Sequence, residues 1–66
     1  MLYAEWIGTT AKIYNQNKSL IRVFHVKDPI VGVQVSGDST TEATVAIVQS
    51  SGKTWLYKTS GSLIRK

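Results

Sequence analysis

The chain has 66 residues, no cysteine, one histidine and a formal net charge of +4 from eight basic and four acidic side chains. That length bounds it to one domain, 1–66, whose folding hides only about 60% of the unfolded chain's surface. Disulfides and thiolate metal sites are excluded as supports, so self-association is the route left for a fold this small. The positive charge favours polyanions but is spread along the whole chain.

Helical periodicity is absent. Val, Ile, Thr, Tyr and Trp fill short runs separated by Gly, Ser, Asn and Asp, which is the strand-and-turn pattern. Residues 2–7 and 11–14 are predicted strands joined at Gly8-Thr9-Thr10, and Asn15-Gln16-Asn17-Lys18 is a turn, because Asn tolerates left-handed backbone angles. Residues 19–26 form a third strand, with Leu20, Phe24 and Val26 expected on one face and Ile21, Val23 and His25 on the other. Lys27-Asp28-Pro29 ends it, since proline has no N–H for a ladder.

Residues 30–35 follow, with Val31, Val33 and Val35 alternating against Gly32 and Gln34. The longest loop is Gly37-Asp38-Ser39-Thr40-Thr41. Residues 43–48 (ATVAIV) are apolar or small on both faces and are expected to lie mid-sheet, covered on both sides. Ser50-Ser51-Gly52 turns into residues 53–58, and Ser60-Gly61 into a last strand, 62–65. The expectation is seven strands and an all-β fold.

Two segments match each other. Residues 11–22 (AKIYNQNKSLIR) and 54–65 (TWLYKTSGSLIR) share Tyr14 with Tyr57 and the run Ser-Leu-Ile-Arg, at an offset of 43 positions. Periods of about 40–45 residues point to stacked or radial repeats, so the match reads as internal duplication. The order IVGVQV, SGD, ATVAIV, SSGKTWLYKT and SGSLIR resembles a blade of a β-propeller of the WD-repeat or quinoprotein-like kind. Residues 30–65 resemble a full blade and 2–22 the last three strands of a preceding one. The Trp-Asp dipeptide of WD repeats is absent, and Lys58 stands where the Asp would follow Trp55 and Tyr57.

The resemblance implies propeller-like four-stranded antiparallel blades completed by oligomerisation. One and a half blades cannot enclose a core, whereas a ring of three to five identical chains can. Its interface is expected to use Trp6, Val31, Val33, Val35 and Trp55. The alternative is a self-contained small β-barrel. An engineered or excised piece of a longer propeller would also show the half-blade at the start.

Candidate chemistry is sparse. His25 has no Ser, Cys or carboxylate spaced to form a dyad, and reads as a half-buried sheet residue. Asp38 and Glu42 flank a polar loop without the oxygen spacing of a calcium site. The glycines form no phosphate cradle. No cofactor or metal is expected, and the chain reads as a non-catalytic binding or scaffold module rather than an enzyme. A second reading is a small basic barrel binding single-stranded nucleic acid through Lys12, Tyr14, Lys53, Trp55, Tyr57 and Lys58, with Arg65 and Lys66 beside them. There is no apolar run long enough for a transmembrane helix, and residues 1–10 lack the charged and apolar regions of a signal peptide, so a cytoplasmic location without membrane contact is expected.

Overall fold

The computed structural model describes residues 1–65 and holds seven strands: β1 (Tyr3–Ile7), β2 (Thr10–Tyr14), β3 (Leu20–His25), β4 (Ile30–Ser36), β5 (Thr44–Gln49), β6 (Thr54–Lys58) and β7 (Leu63–Arg65). They form two open antiparallel meanders, a three-stranded sheet in the order β1-β2-β3 and a four-stranded sheet in the order β4-β5-β6-β7. The all-β class is as the composition requires. Neither sheet closes on itself within the described residues.

Turn chemistry sets the strand ends. Gly8 takes φ +59 at the first position of a two-residue loop, which matches the twist of the strands it joins. Asn15 closes the β2–β3 turn by accepting from the Asn17 and Ser19 N–H groups through its side chain. Strand β5 begins and ends one residue later than the apolar run suggests. The Ala43 N–H donates to the Thr59 hydroxyl and its carbonyl accepts from the Thr59 N–H, so Ala43 belongs to a loop clasp. At the other end, the Gln49 N–H donates to the Lys53 carbonyl and extends the ladder.

The sheets pack face to face. Ala11, Ile13, Phe24, Val26, Ile30, Val45 and Ile47 form the buried core between them, with Ala4, Val33, Val35, Trp55 and Tyr57 packed around it. Ile13 and Ile47 are wholly buried, each stabilising the contact by roughly 1.5–3 kcal/mol. The Phe24 and Tyr57 rings lie 4.5 Å apart across the layer. Beside them the Arg22 guanidinium donates to the Thr59 carbonyl at 3.3 Å.

Two expectations about faces are corrected. Strand β5 is paired on both sides, but only its Val45–Ile47–Gln49 face is covered, while Val48 on the other face is 38% exposed. Leu20 does not share a face with Phe24. An extra residue in β3 sets Leu20 opposite Tyr14 and Arg22 opposite Ile13, which carries Leu20 to the outer face.

Candidate functional site

The site candidates are the two sheet faces that the core does not use. Directly opposed residues of antiparallel strands share a face, so the registers assign each side chain. On the three-stranded sheet, Ala4, Trp6, Ala11, Ile13, Arg22 and Phe24 face the core side, and Tyr3, Glu5, Ile7, Thr10, Lys12 and Tyr14 face outward with Leu20, Val23 and His25. On the four-stranded sheet, Val33, Val35, Val45, Ile47, Trp55 and Tyr57 face the core side. Gly32, Gln34, Ala46, Val48, Thr54 and Leu56 face outward with Lys58 and Arg65.

The two sheets are built on one plan. Tyr14 opposes Leu20 and Ile13 opposes Arg22 across an irregularity, just as Tyr57 opposes Leu63 and Leu56 opposes Arg65 across another. The intervening turns match as well. Asn15 N–H to Ser19 carbonyl corresponds to Lys58 N–H to Ser62 carbonyl, and Lys18 N–H to Asn15 carbonyl corresponds to Gly61 N–H to Lys58 carbonyl. Lys18 and Gly61 both adopt positive φ. The correspondence reaches the preceding strand: Ala4 opposes Ile13 as Ala46 opposes Leu56, and Glu5 opposes Lys12 as Ile47 opposes Trp55. The loop Ser50-Ser51-Gly52 is one residue longer than Gly8-Thr9, which hides this part of the match from an ungapped alignment.

On this plan the intramolecular contact joins unlike faces. The face carrying Ala4, Ile13 and Arg22 packs on the face carrying Val45, Ile47, Trp55 and Tyr57. The outward face of the four-stranded sheet (Ala46, Val48, Leu56, Arg65) is equivalent to the first of these. The outward face of the three-stranded sheet (Tyr3, Glu5, Lys12, Tyr14, Leu20) is equivalent to the second.

These placements rearrange the expected assembly residues. Val33, Val35 and Trp55 are half-buried against the core between the sheets and do not lie on a free surface. Their alternation is the same whichever face is covered, so sequence alone could not tell inner from outer. Trp6 and Val31 remain exposed, Val31 as an unopposed residue of β4. The aromatic–basic set is also divided. Lys12 and Tyr14 lie outward on the three-stranded sheet, and Trp55 and Tyr57 line the inner layer. Lys58 sits outward on the other sheet, 3.4 Å from the Glu42 carboxylate. Lys53 is exposed beside the turn, and Lys66 lies outside the described residues.

The outward face of the three-stranded sheet is concave. Glu5, Ile7, Thr10, Lys12 and Tyr14 of that face, with Trp6 from the edge strand, line a shallow hollow of about 300 Å³. At one side Tyr3 and Tyr14 stack with ring centroids 5.4 Å apart, and at the other the Thr10 hydroxyl lies 3.3 Å from His25 Nδ1. Burial raises the Tyr57 hydroxyl pKa above its ordinary value. Among the described residues no group of three or more His, Cys, Asp or Glu side chains could hold a metal ion. Among the described residues no helix is long and apolar enough to cross a membrane.

Sequence reasoning missed the buried polar residues. Thr59 is fully buried and bonded through its hydroxyl to Ala43 N–H and the Ser39 carbonyl. Gln49, also buried, accepts from the Asp28 N–H, while its Nε2 has no hydrogen-bond partner among the described residues. Nothing in their local sequence distinguishes either from a surface turn residue. Comparison of the chain with protein-family models, curated proteins and solved structures returns no match.

Proposed function

We propose that the protein is a non-catalytic β-module of the propeller type that works by assembling with copies of itself, presenting a binding or scaffolding surface. The observation that carries this reading is the shared plan of the two sheets. A stacking contact made once inside the chain leaves a face of each of its two kinds open, which is how a repeat array is organised before its neighbours are added. The nucleic-acid reading receives no comparable support, because the residues it needs are divided between opposite faces and the core.

The test is the mass in solution. Size exclusion with light scattering at low micromolar concentration is expected to give one discrete oligomer. A compact monomer that melts cooperatively under those conditions returns the chain to the alternative of a self-contained module.

A further inference from the structure

We infer that copies of this chain join head to tail, the outward face of the four-stranded sheet in one copy seating on the outward face of the three-stranded sheet in the next, in repetition of the contact between the sheets inside each chain. This rests on the self-assembly reading and assigns its surface, its polarity and its closure.

The residues support the match on one side closely. Ala46, Leu56 and Arg65 stand where Ala4, Ile13 and Arg22 stand, two of them identical and one an isomer of its counterpart. The same small residue lets the backbones approach, an isomeric branched side chain fills the layer, and the same guanidinium lies at its edge. Inside the chain Arg22 donates to the Thr59 carbonyl. The equivalent bond across copies runs from Arg65 to the Gln16 carbonyl of the next copy. On the receiving side Tyr14 replaces Tyr57 and Leu20 replaces Leu63, and the hollow beside Ile7, Lys12 and Tyr14 offers space for Val48 and Leu56.

The two contacts differ at several places: Val48 and Thr54 stand for Trp6 and Ala11, among the described residues Phe24 and β4 have no counterpart, and one opposed pair changes from apolar to charged. The opposed pair Glu5 and Lys12 occupies the places of Ile47 and Trp55. Covering two charged side chains costs desolvation that covering Ile and Trp does not, so the contact between copies is weaker than the one within the chain. The exposed Glu5 carboxylate faces a surface that carries Arg65 and Lys58, which gives the encounter its polarity.

A face that meets an unlike face makes a heterologous contact, which ends only by closing a ring. Each chain supplies two sheets, and propellers close with about four to eight blades. Two, three or four copies satisfy both counts. A standard interface takes roughly 800 Å² from each partner. Two such interfaces would remove about two-fifths of the 4126 Å² that one chain exposes.

The experiment uses two variants with opposite lesions. Val48→Asp blocks the outward face of the four-stranded sheet, and Leu20→Asp blocks the outward face of the three-stranded sheet. Both positions are solvent-exposed in the single chain, and circular dichroism with urea melts checks that each variant folds. Each alone is expected to run as a monomer, while a mixture gives 1:1 heterodimers, because each variant keeps one intact face of the kind the other needs. The double variant Glu5→Ile/Lys12→Trp restores the inner pattern and is expected to lower the concentration of half-assembly by about tenfold or more.

A wild-type oligomer that persists in both single variants overturns the face assignment while self-assembly stands. Homodimers of either variant, or a mixture that stays monomeric, overturn the head-to-tail polarity. A wild-type chain that is monomeric at every concentration removes the underlying reading itself.

Discussion

Replacing Thr59 by Val tests how the long loop is tied to the sheets. The side chain is fully buried, and its hydroxyl accepts from the Ala43 N–H at 3.2 Å and donates to the Ser39 carbonyl at 3.1 Å. Valine keeps the shape and one methyl, so the packing term is small and the polar term remains. Ala43 is buried, and its N–H would be left without a partner at a cost of about 1–3 kcal/mol. Ser39 is exposed, so its carbonyl can turn to water and adds little. The expected loss is about 2 kcal/mol, a large share of the stability of a domain this size, for which 0.05–0.15 kcal/mol per residue is usual. Thr59→Ser keeps the hydroxyl and loses a methyl, so it is expected to lose about 1 kcal/mol. Urea melts at fixed protein concentration, followed by tryptophan fluorescence, measure both, with an unchanged denaturant slope as the sign of an intact fold. A Val variant as stable as the parent would refute the clasp as a source of stability, and a Ser variant worse than Val would invert the assigned cause.

Three further outcomes are expected. Burial raises the Tyr57 pKa, so the native state holds that proton to higher pH than the unfolded chain; the tyrosine's contribution is complete below about pH 10 and is lost as pH rises through the raised value. An alkaline melt series should therefore show a steeper loss for the parent than for Tyr57→Phe, and identical slopes would contradict it. Native-state hydrogen exchange should find the Val45 to Val48 amides among the slowest in the chain, because β5 is paired on both sides; rapid exchange there would show that the sheet does not form as described. Single-stranded DNA should bind weakly and lose that binding steeply with salt. Trp55→Ala should lower stability by roughly 1.5–3 kcal/mol and leave the residual DNA binding unchanged, whereas tight salt-resistant binding lost with Trp55 would favour a nucleic-acid role.

The strands and turns were legible because each is a local matter. Alternating β-branched runs broken by Gly8, Asn15, Pro29, Gly52 and Gly61 locate all seven elements to within a residue or two. Which face each strand turns inward is a different kind of fact. In β5 the run Thr44–Val48 is apolar or small on both faces, so Ile47 and Val48 look alike in sequence, yet one lies in the core and the other meets solvent. An unopposed residue in β3 then reverses the phase that simple alternation assigns to Leu20. The similarity of residues 11–22 to 54–65 pointed to equivalent hairpins with the same opposed pairs. It could not show that Ala4 and Ala46 share a position too, because one extra loop residue separates the two frames. Thr59 was invisible for a simpler reason: its importance comes from Ser39, Ala43 and Arg22, none of which is its neighbour in sequence.

The irregular pairings also decide how this protein behaves when it is crowded or partly unfolded. Each leaves one branched apolar residue without an opposite number: Ile21 in β3, Val31 in β4 and Ile64 in β7. All three strands are the margins of their sheets, and only β1 forms a margin with an unbroken ladder. An unopposed residue bends a strand and spoils the straight row of N–H and carbonyl groups that another chain would copy, which is how natural sheets resist lateral growth into fibrils. Three margins are guarded in this way and one is not. Loosening the N-terminal strand should therefore govern the onset of fibril formation, a route of aggregation through edges distinct from assembly through faces.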